Sequence, residues 1–167
     1  MDVIRERGSV KKYEDRPIPE HIMKEVFEAA RLAQSAENRQ PWEFVVVREK
    51  EMKEKLALGF VGEAPVVIVC VAHPENCGHV GPLPSYLVDV AIAVENMALV
   101  SWELGLGSCW IGAYDEENVK ELLNIPKNLK VVSLLTLGYP AEKPANQMMR
   151  QRRKPLTQII HYEKYMK

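Results

Sequence analysis

Three residues near the start of the chain, Arg7, Ser9 and Lys11, stand at a spacing of two within "RERGSVKKY". In an extended segment alternate side chains point the same way, so a guanidinium, a hydroxyl and an ammonium can face one ligand. Arginine supplies a planar fork of donors for a phosphate, and Gly8 lets backbone approach closely. A second basic cluster, "RQRRKP" at residues 150–155, can close on the same anion through Arg152, Arg153 or Lys154, the register among them open. Charge alone explains both clusters as solvated surface, which is the commoner use of such runs.

A further polar group lies in "SAENRQPWEF", residues 35–44, where a short turn between a helix and a strand would have sufficed. It offers Ser35, Asn38 and Gln40 around Pro41, with Trp42 beside them. "HPENCGHV" places His73, Cys77 and His79 within seven residues. No fourth ligand follows at a recognisable spacing, so an ordinary loop is the simpler reading and no metal is expected. Cys109, next to Trp110, has no evident activating partner and reads as core. The P-loop, HExxH and GxSxG patterns do not occur. "GLGSCW" contains GxG but follows a helix, the wrong side for a dinucleotide fingerprint.

These groups need elements to position them. Pro17 and Pro19 prepare a helix whose stripe is Ile22, Val26, Ala29, Ala30 and Ala33, and Pro41 prevents its continuation. "FVVVR" reads as a strand and "EKEMKEKLAL" as a charged, exposed helix. "APVVIVCVA", residues 64–72, is a β-branched run expected of a strand buried on both faces. After a Pro- and Gly-rich loop, "SYLVDVAIAVENMALVSWELG" is apolar nearly all round, as for a helix at the centre of a fold or in a subunit interface. Gly105 or Gly107 caps it. "SCWIGAY" is a short strand, "DEENVKELLN" a helix capped by Asp115, and "KVVSLLTLGYP" another buried strand. Helices alternating with strands predict an α/β or α+β layer fold. The tail, residues 141–167, carries Leu156, Ile159, Ile160, Tyr162 and Tyr165, which need a surface to pack on.

The 167 residues suit one domain, residues 1–167. A net charge of −1 gives no general attraction to nucleic acid or anionic membrane. The acidic and amide residues Asp89, Glu95, Asn96 and Glu103 argue against a membrane span in the longest apolar stretch. Three cysteines cannot all pair, and the N-terminus lacks a signal-like apolar run, so a reducing, cytoplasmic location is expected.

Taken in order, five segments resemble the nitroreductase family of FMN-dependent oxidoreductases. They are "RGSVKKY" at 7–13, "PIPEHIMKEVFEAARLAQSAENRQPWEFVVV" at 17–47, residues 86–126, "LLTLGYPAEKP" at 134–144 and "RRKPLTQIIHY" at 152–162. The length is that of a short member without large insertions. The resemblance implies an α+β fold with a mainly antiparallel central sheet flanked by helices. It also implies an intertwined homodimer with non-covalent FMN at the interface and the tail on the partner subunit. By the same resemblance Arg7 and Ser9 match phosphate and ribityl contacts, and Lys11 matches a position near the flavin N1/O2 edge. Ser35, Asn38 and Gln40 match the loop that meets flavin from the other subunit, and Ile111 and Gly112 a backbone segment along its ring. Arg152, Arg153 or Lys154 would complete the phosphate site. The implied activity is ping-pong transfer of a hydride from NAD(P)H through FMN to a nitroaromatic, quinone or flavin, without a protein acid or base. Trp42, Tyr86 and Trp110 are candidate pocket walls, though each is as readily core packing. Alternatives are a flavin-storage protein, or a dehalogenase or flavin-degrading enzyme of the same fold. Two departures from the family pattern, Gly8 for a second basic residue and Gln34 for a proline, bear on the phosphate contacts and the acceptor side.

Overall fold

The computed structural model describes residues 1–57, 59–142, 144 and 152–165. A short helix α1, Asp2–Glu6, opens the chain with no buried residue. Residues 7–12 then run without helix, as the alternation argument requires. Helix α2, Glu20–Arg31, begins directly after Pro19 and buries Met23, Val26 and Ala30. Strand β1, Trp42–Val47, follows.

Helix α3, Lys50–Leu56, departs from the fully exposed helix expected, because Lys53 and Leu56 are buried. The Lys53 ammonium donates to the carbonyls of Ala64 and Pro65, acceptors brought from outside its helix. Burial lowers its pKa from the usual 10.5. Strand β2, Val66–Ala72, is buried along its whole length. The Pro- and Gly-rich loop contains a small hairpin, β3 His79–Val80 and β4 Leu83–Pro84, turned by Gly81 at φ +59°.

Helix α4, Tyr86–Glu103, buries Val90, Ala93, Val94, Met97 and Ala98 on one side. In its first turn Leu87 and Val88 are about half exposed, at 53% and 46%. Of the two glycines able to end it, Gly105 does so at φ +80°. The Leu106 N–H reaches Ser101 O at 2.8 Å and the Gly105 N–H reaches Trp102 O at 3.1 Å, which is a Schellman closure. Strand β5, Gly107–Ile111, leads to α5, Glu116–Leu123, and then to β6, Lys130–Gly138. The Asp115 carboxylate caps α5 by accepting from Glu117 N–H at 3.0 Å and Asn118 N–H at 3.1 Å.

The main sheet has the order β1-β2-β6-β5, and every neighbouring pair is antiparallel. This is the antiparallel sheet flanked by helices that the resemblance implied. Alternate β2 residues face two cores. Val66, Ile68, Cys70 and Ala72 meet α2 and α4, while Val67, Val69 and Val71 meet Leu56 of α3 and Val119 of α5. Among the described residues no helix is long and apolar enough to cross a membrane.

Candidate functional site

The N-terminal segment reaches its place by adding to the outer edge of β5. Ser9 forms a parallel bridge with Ser108, and the Val10 N–H donates to Ser108 O at 2.9 Å. Val10 points inward and is 2% exposed, so its neighbours Ser9 and Lys11 point outward. Gly107 makes this close approach possible. A Cβ there would stand 2.5 Å from Val10 Cγ2 and 2.7 Å from Val10 Cβ, well inside contact distance. Further along, the Tyr13 hydroxyl lies 2.7 Å from Val10 O and 2.6 Å from Thr136 Oγ1, pinning the segment to β6 as well.

The outward residues line a cleft of about 490 Å³ with Phe60, Cys109, Trp110, Ile111 and Gly112. Four of the sequence-predicted residues, Ser9, Lys11, Ile111 and Gly112, therefore come together. The Lys11 ammonium sits 5.5 Å from the centre of the Phe60 ring, a cation–π contact that leaves its charge in place. A Cβ on Gly112 would meet nothing within 4 Å, so backbone is open to a flat ligand at that point. Trp110 is 40% exposed along the same wall, which makes it a lining residue rather than core. Burial raises the Cys109 pKa, against opposing effects of the Ser9 hydroxyl, Lys11 and Arg7. The thiol is thus protonated at neutral pH and unsuited to be a nucleophile. Arg7 is partly buried and turns to α4, its Nε 3.6 Å from Glu95 Oε1. Gly8 is buried beside it.

Ser35, Asn38 and Gln40 lie elsewhere, in the turn Ala36–Asn38 and its flanks before β1. Strands β1 and β5 are the two edges of the sheet, so three strand spacings, about 14 Å, separate this loop from the cleft within one chain. The loop is unusually shaped. Glu37, Asn38 and Gln40 have φ of +54°, +56° and +50°, three left-handed residues without glycine, interrupted by Arg39 at φ −76°. Each non-glycine residue there costs on the order of 1 kcal/mol, Asn least. The Gln40 N–H donates to Ser35 Oγ at 2.9 Å and the Gln40 side-chain amide to Asn38 O at 3.0 Å. Ser35 Oγ is thus the acceptor that closes the loop, and a hydroxyl in that position can still donate. Trp42 is partly buried against the core and anchors the loop, and Tyr86 packs there too.

Arg152, Arg153 and Lys154 are exposed and form no ion pair among the described residues. Arg150, the first residue of that cluster, lies outside the described residues. The tail's Leu156, Ile159, Ile160, Tyr162 and Tyr165 are all exposed, from 44% to 79%. His73 pairs with Glu43 at 3.1 Å, the Cys77 thiol donates to Pro74 O at 3.0 Å, and His79 is exposed on the hairpin. Among the described residues no three His, Cys, Asp or Glu side chains converge to hold a metal.

A larger groove, about 770 Å³, is lined by Arg16, Arg48, Lys53, Asp15 and Glu63 among others. Its charges are mixed and partly engaged, Arg48 with Glu20 at 2.7 Å and Arg16 over Tyr139 at 3.8 Å. Its Arg16, Arg48, Lys50 and Lys53 are matched by Glu14, Asp15, Glu54 and Glu63, so it presents no net positive face to an anion. Two contributors to the smaller cleft, Phe60 and Val61, carry no sequence signal, since they come from the short 3-10 helix Gly59–Glu63.

The nitroreductase family profile matches residues 4–67 and 52–139. A protein of Archaeoglobus fulgidus provisionally named NADH dehydrogenase/NAD(P)H nitroreductase is 37% identical over 86% of this chain and 86% of its own. An FMN reductase [NAD(P)H] of Bacillus subtilis is 29% identical over 98% of this chain and 73% of its own. Among solved structures, an FMN-dependent nitroreductase of Clostridium difficile R20291 superposes with a TM-score of 0.82 at 27% identity, covering 98% of each chain.

Proposed function

Because this chain belongs to the nitroreductase family, we propose that it is an NAD(P)H-dependent oxidoreductase with FMN as its cofactor, reducing a nitroaromatic, quinone or flavin. The observation that carries the site assignment is the cleft that gathers Ser9, Lys11, Ile111 and Gly112 on the β5 edge. The donor set fits the cofactor: a hydroxyl and a guanidinium for ribityl and phosphate, a cation for the electron-rich ring edge, and open backbone for a flat ring. When bound, FMN supplies two-electron chemistry, in a ping-pong sequence with NAD(P)H and acceptor using one place in turn.

The protein's residues bind, orient and tune. Lys11 sets a fixed positive charge where reduced flavin gains negative charge, which favours reduction. Arg7, with Arg152, Arg153 or Lys154, holds the phosphate. Ile111 and Gly112 offer backbone to the ring, and Trp110 walls the acceptor side. Ser35, Asn38 and Gln40 serve the site of a second copy, which reconciles their role with the 14 Å or so that separates the sheet edges in one chain. The open face of α4 and the apolar tail fit that homodimer, with residues 1–167 as one FMN-binding domain and residues 141–167 packed on the partner.

Purification tests the reading. The protein, as isolated or after reconstitution with FMN, should absorb in the flavin bands, and one of NADH and NADPH should bleach it anaerobically within seconds. A protein that stays colourless after reconstitution refutes the cofactor assignment, and one that stays yellow with both nucleotides is a storage protein instead. Sedimentation at micromolar concentration should give a dimer, and a monomer would remove the shared site.

A further inference from the structure

Behind the loop of Ser35, Asn38 and Gln40 stands one buried carboxyl group. Asp89, in the first turn of α4, is 2% exposed. Its Oδ1 accepts the Ala36 N–H at 3.0 Å, and its Oδ2 accepts the Ser85 hydroxyl at 2.6 Å. Ser85 is fully buried, and its own N–H donates to Gly78 O at 3.0 Å, at the foot of the β3–β4 hairpin. Gly78 in turn lies against the loop, since a Cβ there would stand 2.8 Å from Ala36 Cβ. Loop, hairpin and helix therefore meet around the Asp89–Ser85 pair. The left-handed residues Glu37, Asn38 and Gln40 begin one residue beyond the Ala36 N–H that Asp89 holds. Strained backbone of that kind persists only where its surroundings over-determine it.

We propose that Asp89 is the positioning residue of this loop. By gripping Ala36 from behind, it fixes the left-handed residues and so the aim of Ser35, Asn38 and Gln40. That aim serves the cofactor on the reading above, on which this consequence rests. Asp89 itself touches no ligand and acts through Ala36. The hairpin is tied in one step further on, through the Ser85 N–H on Gly78 O.

The test compares Asp89→Ala, Asp89→Asn and Ser85→Ala in the full chain, with Val119→Ala in the opposite core as a control for general loss of stability. Amide hydrogen exchange of residues 36–40 is followed without cofactor, and FMN affinity is titrated separately. Asp89→Ala should speed exchange at Ala36 and Gln40 and weaken FMN binding, each about tenfold, the scale of losing a buried hydrogen bond. Asn keeps an acceptor for Ala36 and presents an amide donor to Ser85 Oγ, so Asp89→Asn should stay within about threefold on both measures. Ser85→Ala, which removes one arm and folds even if Asp89→Ala does not, should fall between them. Loop exchange in Asp89→Ala no faster than in Val119→Ala overturns the proposal, as do unchanged exchange in Ser85→Ala and a loss in Asp89→Asn as large as in Asp89→Ala. Faster loop exchange with FMN affinity intact would support the clamp and sink the placement of the loop against flavin.

Discussion

Replacing Arg7 by alanine should weaken FMN binding far more than replacing Lys12, although the two cations are five residues apart in one short segment. Hydrogen bonds from a charged donor contribute about 1.5–3 kcal/mol net. Against this, Arg7 must loosen its pair with Glu95, which at 3.6 Å and with side chains 26% and 48% exposed is a partly screened contact. Pairs of that kind are worth about 0.2–1 kcal/mol. The difference, roughly 1–2 kcal/mol, corresponds to about a 5- to 30-fold rise in Kd. Lys12 is 67% exposed and occupied by Glu142 at 3.2 Å, so Lys12→Ala should change Kd by less than about twofold, the scale of a surface pair. Glu95→Gln removes the competitor and should tighten binding up to about fivefold, an advantage that shrinks in high salt. The assay is quenching of FMN fluorescence on titration into cofactor-free protein. Equal effects of Arg7→Ala and Lys12→Ala would refute the alternation that places Arg7, Ser9 and Lys11 on one face.

Gly107→Ala forces its Cβ into Val10 and should lift the N-terminal segment off β5, lowering both the melting temperature and FMN affinity; an unchanged affinity would separate that segment from the cofactor. Asp115→Ala removes the acceptor for two helix N–H groups and should cost about 1 kcal/mol. For a chain this long that is a fall of about 2–4 °C in Tm by calorimetry, with FMN affinity unaffected. Lys53 has a lowered pKa through burial, so between that value and the usual 10.5 the unfolded chain holds a proton the folded one lacks. Its contribution to stability therefore grows as pH rises through that window, and the wild-type minus Lys53→Met difference from urea unfolding should increase as pH rises toward 10.5. A flat difference would mean that Lys53 is solvated.

Where a residue's neighbours lie along its own segment, the sequence reveals its place. The β-branched run of β2 is buried residue by residue, and Asp115 caps the helix its position announces. The spacing of Arg7, Ser9 and Lys11 is matched by an extended segment, with Val10 turned inward between Ser9 and Lys11. What escaped depends on groups distant in the chain. Lys53 reads as a solvated lysine until Ala64 and Pro65 supply its acceptors. The two-residue strands of the hairpin are too short to show a period. Of the left-handed loop residues only Asn38 hints at its conformation, since Glu37 and Gln40 are not types that favour it. Asp89 registers in the sequence only as an acid in an apolar helix, a sign of burial but not of what it holds.

The bridge between Ser9 and Ser108 has a consequence for how the molecule is made. Residues 7–11 are synthesised about 100 residues before the edge they dock on, some 5–20 s at ordinary elongation rates. Until Gly107 emerges, Ser9 and Lys11 have no wall beside them and no cleft to line. A chain halted before β5 would lack the cleft proposed for the cofactor. On the proposed reading cofactor loading waits for β5, and residues 7–11 register that this strand has been made.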